Sequence, residues 1–298
     1  MKALGGGLFV VLILLMFDSS MMLRAQTIHK FRIDSGWQKT EVRVGVWYTS
    51  DYLFMGRGDS SKAPYLSPYA GYYHKSGLFL STSLSYLTGE GQGRIDLYKL
   101  SGGYDYYGEK LEAGMIVSEY FFNDYSYTVV SEMSTSLSAY VGYDLAGFMV
   151  YADGALGWSG YTDVFVGAEI NRKFYALKRK LRITPAVYLN AGTQQYYSQY
   201  YTMRSTQTGM GSGNGGSGGS GQQPGMPNSS RTIESQKFQL LDFETDIQVS
   251  YKIKKFRFYL ASTFTFPVNP ATIITDQGTY EEELNTGFYW STGVRLTL

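Results

Sequence analysis

The fold is decided by Leu240-Leu241-Asp242-Phe243-Glu244-Thr245-Asp246-Ile247-Gln248-Val249-Ser250-Tyr251, a stretch in which apolar and polar residues alternate. One face carries Leu241, Phe243, Ile247, Val249 and Tyr251, and the other carries Asp242, Glu244, Asp246, Gln248 and Ser250. This period of two is that of a β-strand, whose successive side chains point to opposite faces. About a dozen such segments follow one another. We therefore predict an all-β fold, a transmembrane antiparallel up-and-down β-barrel of about 12 strands with lipid outside and water inside.

The beginning of the chain has the pattern of a signal peptide. An apolar run from Leu8 to Phe17 is followed by Leu23-Arg24-Ala25 and then Gln26. The run is shorter than the roughly 20 residues that cross a bilayer as a helix, which favours a cleaved leader over an anchor helix. The sequence thus predicts a signal peptide at 1–25, a periplasmic segment at 26–39 and an outer-membrane barrel at 40–298.

The composition excludes several classes of function. The chain has no cysteine, which removes disulfides, thiol chemistry and a lipoprotein anchor. Its net charge is +1, whereas nucleic-acid binding needs a basic face. After the leader no run of 18 apolar residues occurs, so any membrane-embedded form must be a closed sheet. We expect no cofactor, and no metal beyond loose binding of Ca²⁺ or Mg²⁺ by carboxylates.

Tight turns alternate with long loops between the successive segments. Outer-membrane barrels show the same difference between their two ends. The predicted tight turns include His74-Lys75-Ser76-Gly77 and Lys252-Ile253-Lys254-Lys255. An even strand count places the start of the first strand and the end of the last strand on the same, periplasmic side. One strand is predicted from Leu181 to Tyr201. After it, a Gly/Ser-rich loop at about 203–235 has the composition of a mobile linker, either a surface insertion or a tether.

Aromatic residues concentrate near the predicted strand ends. They favour two girdles at the membrane interfaces, because amphipathic rings prefer the headgroup level. The alternatives are an apolar core of a soluble barrel and a surface that binds sugar rings. The main clusters are Tyr48, Tyr52 and Phe54; Tyr69, Tyr72 and Tyr73; Tyr104, Tyr106 and Tyr107; Tyr120, Phe121 and Phe122; and Tyr196, Tyr197, Tyr200 and Tyr201.

Charged residues at alternate positions are the candidate site. A charge facing lipid is unfavourable, by roughly 2 to 4 kcal/mol for a midplane Arg or Lys, so these side chains should point inward. They either pair across strands to fill the lumen or line a narrow path whose carboxylate row on 242–246 favours cations. The predicted pore-lining residues are Arg43, Glu112, Glu169, Arg182, Asp242, Glu244, Asp246, Arg257 and Arg295, with Glu41 and Asp153 also inward.

Catalysis is not expected. A hydrolase in a barrel needs a base and a nucleophile together near a rim. The chain has only His29, just past the leader, and His74, in a predicted tight turn. The carboxylate row is read as structural ion pairing with arginines rather than as a catalytic site, and we name no catalytic residue.

Two runs resemble a known group. Ser50-Asp51-Tyr52-Leu53-Phe54-Met55-Gly56-Arg57 and Gly71-Tyr72-Tyr73-His74-Lys75-Ser76-Gly77-Leu78-Phe79, behind a leader ending at Ala25-Gln26, resemble uncharacterised outer-membrane β-barrel proteins of Bacteroidetes. They are also similar to porins whose first hairpin carries Ser-Asp-Tyr-x-Phe-Arg-Gly, although Met55 replaces the arginine here. The chain ends in Leu298, where most outer-membrane barrels end in Phe. The resemblance implies fold and location and transfers no site residue.

The sequence therefore predicts an exported protein of the Gram-negative outer membrane, acting as a narrow passive porin-like channel or as a structural surface protein. Its expected partners are the lipid bilayer, lipopolysaccharide, the outer-membrane assembly machinery and, for a channel, small solutes or ions. The alternatives are a secreted soluble β-protein that serves as a binding module and a barrel-embedded hydrolase.

Overall fold

The computed structural model describes residues 39–58, 62–89, 93–197, 230–233, 237–275 and 278–298. The predicted signal peptide at 1–25, nearly all of the segment at 26–39, His29, and all of the Gly/Ser-rich loop at 203–235 except residues 230–233 lie outside this part of the chain.

Long antiparallel strands make up most of the described chain. The long strands are β1 Glu41–Thr49, β2 Tyr65–Tyr73, β3 Leu78–Leu87, β4 Arg94–Tyr107, β5 Leu111–Phe122, β6 Thr135–Leu145, β7 Phe148–Trp158, β8 Thr162–Asn171, β10 Leu181–Gly192, β12 Gln239–Ile253, β13 Phe256–Pro267 and β16 Gly287–Thr297. Of the short strands, β9 Phe174–Ala176 continues the wall beside β10. The others, β11 Ser230–Ile233, β14 Thr272–Thr275 and β15 Gly278–Glu281, form a separate three-stranded sheet.

The long strands close into a barrel. Each pairs with its sequence neighbour, and β16 pairs back with β1, as in Val44 opposite Leu296. The β10–β12 pairing completes the circle. Because closure leaves no unpaired edge, the barrel satisfies its backbone groups internally. The predicted fold class, an antiparallel up-and-down barrel of 12 strands, is confirmed for the described residues.

The barrel is apolar outside and polar inside. Leu80, Met115, Val187 and Leu260 point outward and are 50% to 56% exposed. Alternate positions on the same strands carry buried polar side chains. A soluble β-protein has the opposite arrangement, because water drives its apolar faces together. Within the described residues, no helix is long and apolar enough to cross a membrane.

Two predictions along β10 and β12 are wrong in detail. Leu241, expected on the outer face, is fully buried, because the β10–β12 register shifts at Asn190/Ala191 and a bulge turns its side chain inward. The predicted strand Leu181 to Tyr201 ends at Gly192. Beyond it, Gln195–Tyr197 form a helical turn whose backbone N–H groups of Gln195 and Tyr196 donate to Asp163, at 2.8 Å each.

The aromatic girdle is only partly correct. Tyr72, Tyr104, Tyr106 and Phe121 are exposed on the outer face, as a girdle requires. Other described members are turned inward by their strand register or loop, whereas Tyr200 and Tyr201 lie outside the described residues. Buried examples are Tyr52, Phe54, Tyr69, Tyr73, Tyr196 and Tyr197.

Candidate functional site: a charged lumen beneath a closed mouth

The predicted pore-lining residues do point into the barrel. Arg43, Glu112, Glu169, Arg182, Asp242, Glu244, Asp246 and Arg295 are buried, and Arg257 is half-buried between outward Phe256 and Phe258. We call the barrel end with the tight turns the turn end, and the opposite end the loop end. The nine residues do not form one cluster, because the structure separates them by sign along and around the lumen.

The carboxylate row of β12 lies in a hydrogen-bonded wall. Asp242 accepts from Asn190 Nδ2 at 2.7 Å, and Asp246 accepts from Thr263 Oγ1 at 2.9 Å. Glu244 lies between them, opposite Tyr188 of β10 and Thr265 of β13. The three carboxylates occupy consecutive inward positions, and their exposed fractions are 0% to 2%. Neighbouring side chains therefore cover this row in the structure.

A second set of carboxylates lies on the strands that precede β10. Glu112 accepts a hydrogen bond from Tyr151 Oη at 2.7 Å, and Glu169 accepts from Asn171 Nδ2 at 2.6 Å. Asp105, which the sequence reading did not select, accepts from the hydroxyl of Tyr140. Tyrosine hydroxyls hold two of these three carboxylates in place.

Four arginines occupy the turn end of the wall formed by β10, β13, β16 and β1, which also includes the carboxylate row of β12. Arg257 and Arg295 are direct cross-strand partners on β13 and β16, and Arg43 on β1 is one inward position further along. Arg257 donates from Nη1 to Ser250 Oγ at 3.2 Å, and Arg182 is the cross-strand partner of Ser250. Arg43 also pairs with Glu41 and lies 4.4 Å from the ring centroid of Tyr73. The arginines therefore lie at the turn end, whereas the β12 carboxylates lie nearer the loop end of the same wall and the other carboxylates lie on β4, β5 and β8.

Glycine and aromatic residues are paired across the inner wall. The ring of Tyr151 covers its cross-strand partner Gly142, where an added Cβ would lie 2.0 Å from Tyr151 Cε1. The same relation joins Gly45 to Tyr69 and Gly293 to Trp47. Because glycine leaves room, each ring can lie against the wall, and the hydroxyl of Tyr151 donates to Glu112 at 2.7 Å.

Among the described residues, an apolar plug spans the loop end. We define the plug as Tyr52, Phe54 and Met55 from the β1–β2 connection together with the wall and loop residues that enclose them. Phe54 is fully buried, with its ring centroid 5.5 Å from that of Phe165 and 4.8 Å from that of Tyr196. Other members are Ala63, Tyr65, Leu87, Val129, Val130, Met133, Tyr197, Leu241 and Ala271.

The plug crosses the whole mouth. Phe54 comes from the connection between β1 and β2, whereas Phe165 lies on β8. Five strands, β3 to β7, lie between β2 and β8 on one side, and four, β10, β12, β13 and β16, lie between β8 and β1 on the other. The Phe54–Phe165 contact therefore joins opposite walls above the charged lumen.

Arg57 holds the plug in place. Its Nη1 donates to the carbonyls of Met55 and Leu241, at 3.2 and 3.1 Å. Its Nη2 donates to the carbonyls of Val268 and Asn269, at 3.0 and 3.1 Å, and its Nε donates to Glu282 at 3.2 Å. These five bonds use every N–H of the guanidinium. We call Arg57 and Glu282 the latch.

The sequence reading missed the plug and the latch. It had one relevant signal, the apolar run Leu53-Phe54-Met55 inside a connection otherwise rich in Asp, Ser and Gly.

Burial also raises the pKa values of two acids in the loop-end connections. Desolvation raises the pKa of Asp51, although backbone N–H groups of Tyr52 and Ala63 and the charge of Lys62 oppose the shift. Burial likewise raises the pKa of Glu132, with Asp124 adding to it.

Two features of the described part of the chain bear on catalysis and metal binding. His74 is in a turn, where its Nδ1 lies 2.8 Å from Ser76 Oγ. Within the same residues, no three His, Asp or Glu side chains gather as metal ligands.

Comparisons with known proteins give matches among solved structures only. No protein-family model matches the sequence, and no curated protein matches it. Among solved structures, the KdgM porin is 8% identical, covers 85% of this chain and 98% of its own, and has a TM-score of 0.47. The NanC porin is 13% identical, with 87% and 100% covered and a TM-score of 0.44. An outer-membrane channel from Pseudomonas putida F1 is 10% identical, with 90% and 100% covered and a TM-score of 0.45. The chain is similar to these outer-membrane barrels in fold.

Proposed function

We propose that this protein is an outer-membrane β-barrel of the porin-like kind, a narrow channel for small solutes or ions that the plug closes at its extracellular mouth. The turn end then faces the periplasm and the loop end faces the exterior. The observation that carries the proposal is the Phe54–Phe165 contact, which lies across the mouth of a barrel whose interior is charged.

The membrane location is supported by the distribution of side chains. An outer surface of exposed Leu, Val, Ile and Phe is stable in hydrocarbon and unstable in water. The charged lumen supports a solute path, because the interior of a porin-type barrel is polar. Plug removal is the step that would connect this lumen to the exterior.

Planar-bilayer recording of the purified protein is the test. We compare the wild type with Phe54→Ala, which removes the ring at the centre of the plug. A matched control is Phe121→Ala, which removes an exposed ring on the outer face. The expected result is brief or small currents in the wild type, larger and longer openings for Phe54→Ala, and wild-type behaviour for Phe121→Ala.

The alternative is a sealed structural barrel. It is favoured by the tyrosines that fill the lumen, among which Tyr73, Tyr151 and Tyr188 are at most 2% exposed. If neither the wild type nor Phe54→Ala passes current, while both show a heat-modifiable band in detergent, the channel proposal fails and the structural role stands. Recovery of the mature chain from the periplasm without detergent would instead remove the membrane location itself.

A further inference from the structure

A groove lies on the outer surface of the barrel, on the wall built by β7, β8, β10, β12 and β13. Its volume is about 520 Å³, and its lining is mainly outward apolar side chains. It extends from the middle of the wall, at Ile247 and Phe264, to the turn end, at Phe148 and Phe174. A site of this volume is within the range that holds small ligands.

The groove exists because the wall is interrupted there. β8 pairs with β10 as far as Asn171 opposite Ala186, and pairing resumes with β9 at Phe174 opposite Ile183. The two residues between, Arg172 and Lys173, belong to neither strand and lie next to Pro185, which has no N–H to donate; the backbone N–H of Arg172 donates to Pro185 O at 3.3 Å. Small outward side chains, including Ser262 and Thr245, form the floor.

A cationic side chain, that of Arg172, lies at the turn end of the groove. The exposed guanidinium of Arg172 lies 4.8 Å from the ring centroid of Phe148 and 5.3 Å from that of Phe174. These rings hold the charge beside the opening of the groove.

The neighbouring turns are basic. Residues 172–180 contain Arg172, Lys173, Lys178, Arg179 and Lys180 and no acid, and residues 252–255 contain three lysines and no acid. The two turns are adjacent, because Lys252 N donates to Lys180 O at 2.9 Å. The nearest acid on the β6–β7 turn, Asp144, caps its own turn by accepting from Gly147 N at 2.8 Å.

We propose that this groove is a binding site for an anionic phospholipid of the periplasmic leaflet. One acyl chain lies in the apolar groove, and the phosphate group contacts Arg172 and the basic turns. The proposal uses the membrane location given under Proposed function but not the channel activity. Charge complementarity selects the lipid, because basic residues at the membrane surface attract anionic headgroups. Lipopolysaccharide is excluded as the occupant, because it occupies the outer leaflet, at the opposite end of the strands.

The test is native mass spectrometry of the barrel released from nanodiscs that contain equal amounts of phosphatidylglycerol and phosphatidylethanolamine. The variants are Arg172→Gln, which removes the cation, and Ser262→Phe, which fills the groove floor. The control is Lys75→Gln, an exposed cation on the β2–β3 turn away from the groove. Folding of every variant is checked by the heat-modifiable band.

The wild type should retain one phosphatidylglycerol selectively. Arg172→Gln should retain it about fivefold less, as expected for one interfacial cation. Ser262→Phe should lose retention of both lipids, and Lys75→Gln should match the wild type. Equal retention of the two lipids by the wild type, or equal effects of Arg172→Gln and Lys75→Gln, would overturn the proposal. Displacement of the lipid by inorganic phosphate alone would also overturn it, because the groove would then contribute nothing.

Discussion

Arg57 and Glu282 form a buried ion pair, with Nε 3.2 Å from the carboxylate, that ties the β1–β2 connection to the connection between β13 and β16. Glu282 also accepts from the backbone N–H of Ala271 at 2.9 Å. The pair is thus embedded in backbone contacts from both connections. Since Arg57 also donates to the carbonyl of Met55, the latch joins the connection between β13 and β16 to the plug.

Removal of the latch should open the mouth. Arg57→Ala leaves the carbonyls of Met55 and Val268 without this donor and Glu282 without its cation, while Leu241 O keeps its bond from Val268 N at 2.8 Å. Loss of one partner of a buried ion pair destabilises the structure by about 3 to 5 kcal/mol. Here we expect this to destabilise the closed arrangement of the mouth and to leave the barrel folded. We expect longer channel openings in planar bilayers and faster proteolysis of the β1–β2 connection, with an unchanged heat-modifiable band.

Arg57→Lys is the matched variant for the latch. Lysine keeps the charge but lacks the planar fork that reaches several carbonyls at once, so its effect should be intermediate. If Arg57→Ala shows the same currents and the same rate of proteolysis as the wild type, this arginine has no role in closing the mouth.

The carboxylate row should set ion selectivity once the mouth is open. In a Phe54→Ala background, Asp242→Asn, Glu244→Gln and Asp246→Asn together remove three negative charges while keeping similar shapes. We expect a reversal potential shifted away from cation selectivity in asymmetric KCl. The control is Asp144→Asn, on the exposed β6–β7 turn, which should leave the reversal potential unchanged. An unshifted potential in the triple variant would show that ions bypass β12.

The glycine–tyrosine pairs should contribute to barrel stability. In Gly142→Ala the new methyl group overlaps the ring of Tyr151 and displaces its hydroxyl from Glu112. Overpacking of this kind costs about 1 to 3 kcal/mol. The measurement is urea unfolding in lipid vesicles. Gly154→Ala is the control, because its added Cβ has only an ordinary 3.7 Å contact with Phe165 O; equal midpoints for the two variants would refute the pairing argument.

The outer face should not accept charge. Leu260 points outward from the middle of β13 and is 50% exposed. Leu260→Arg should destabilise the folded barrel by about 2 to 4 kcal/mol, the range for a midplane arginine in a bilayer. Tyr125→Arg, in the β5–β6 connection, should be neutral. Folding yield into vesicles measures both, and a neutral Leu260→Arg would mean that no hydrocarbon surrounds this strand.

Acid should favour the closed mouth. Because burial raises the pKa of Asp51 above its ordinary value, the folded connection binds the proton more tightly than the unfolded one. The associated stability is fully present below the ordinary carboxyl pKa and is lost as pH rises through the raised value. Glu132 shifts in the same direction, and Lys62 opposes the shift of Asp51.

We therefore expect open probability to fall as pH decreases through this acidic window. Asp51→Asn mimics the protonated form in charge, so it should flatten the profile in proportion to the contribution of Asp51. A profile that is unchanged by Asp51→Asn, or one in which acid opens the channel, would contradict this assignment.

Much of the barrel wall follows from local sequence. In β1, Val42 is exposed while Arg43 and Trp47 are buried, as the alternation predicts. β3 shows the same agreement, with exposed Leu78 and Leu80 opposite buried Ser81 and Ser83. The exceptions occur where the alternation of inward and outward side chains is interrupted. At Leu241 a bulge turns the side chain inward. After Gly192, the hydrogen bonds to Asp163 form a helical turn in place of strand pairing.

The sequence by itself determined the strand period, the tight turns and the two-sided environment of the wall, because a residue's facing depends on its immediate neighbours and on the pleat. Only the tertiary structure decided what closes the mouth and how the charges are grouped. Phe54 meets Phe165, and Arg57 meets Glu282 across 225 positions of sequence. Such contacts depend on which walls of a closed barrel face each other, and that geometry exists only after the first and last strands have paired.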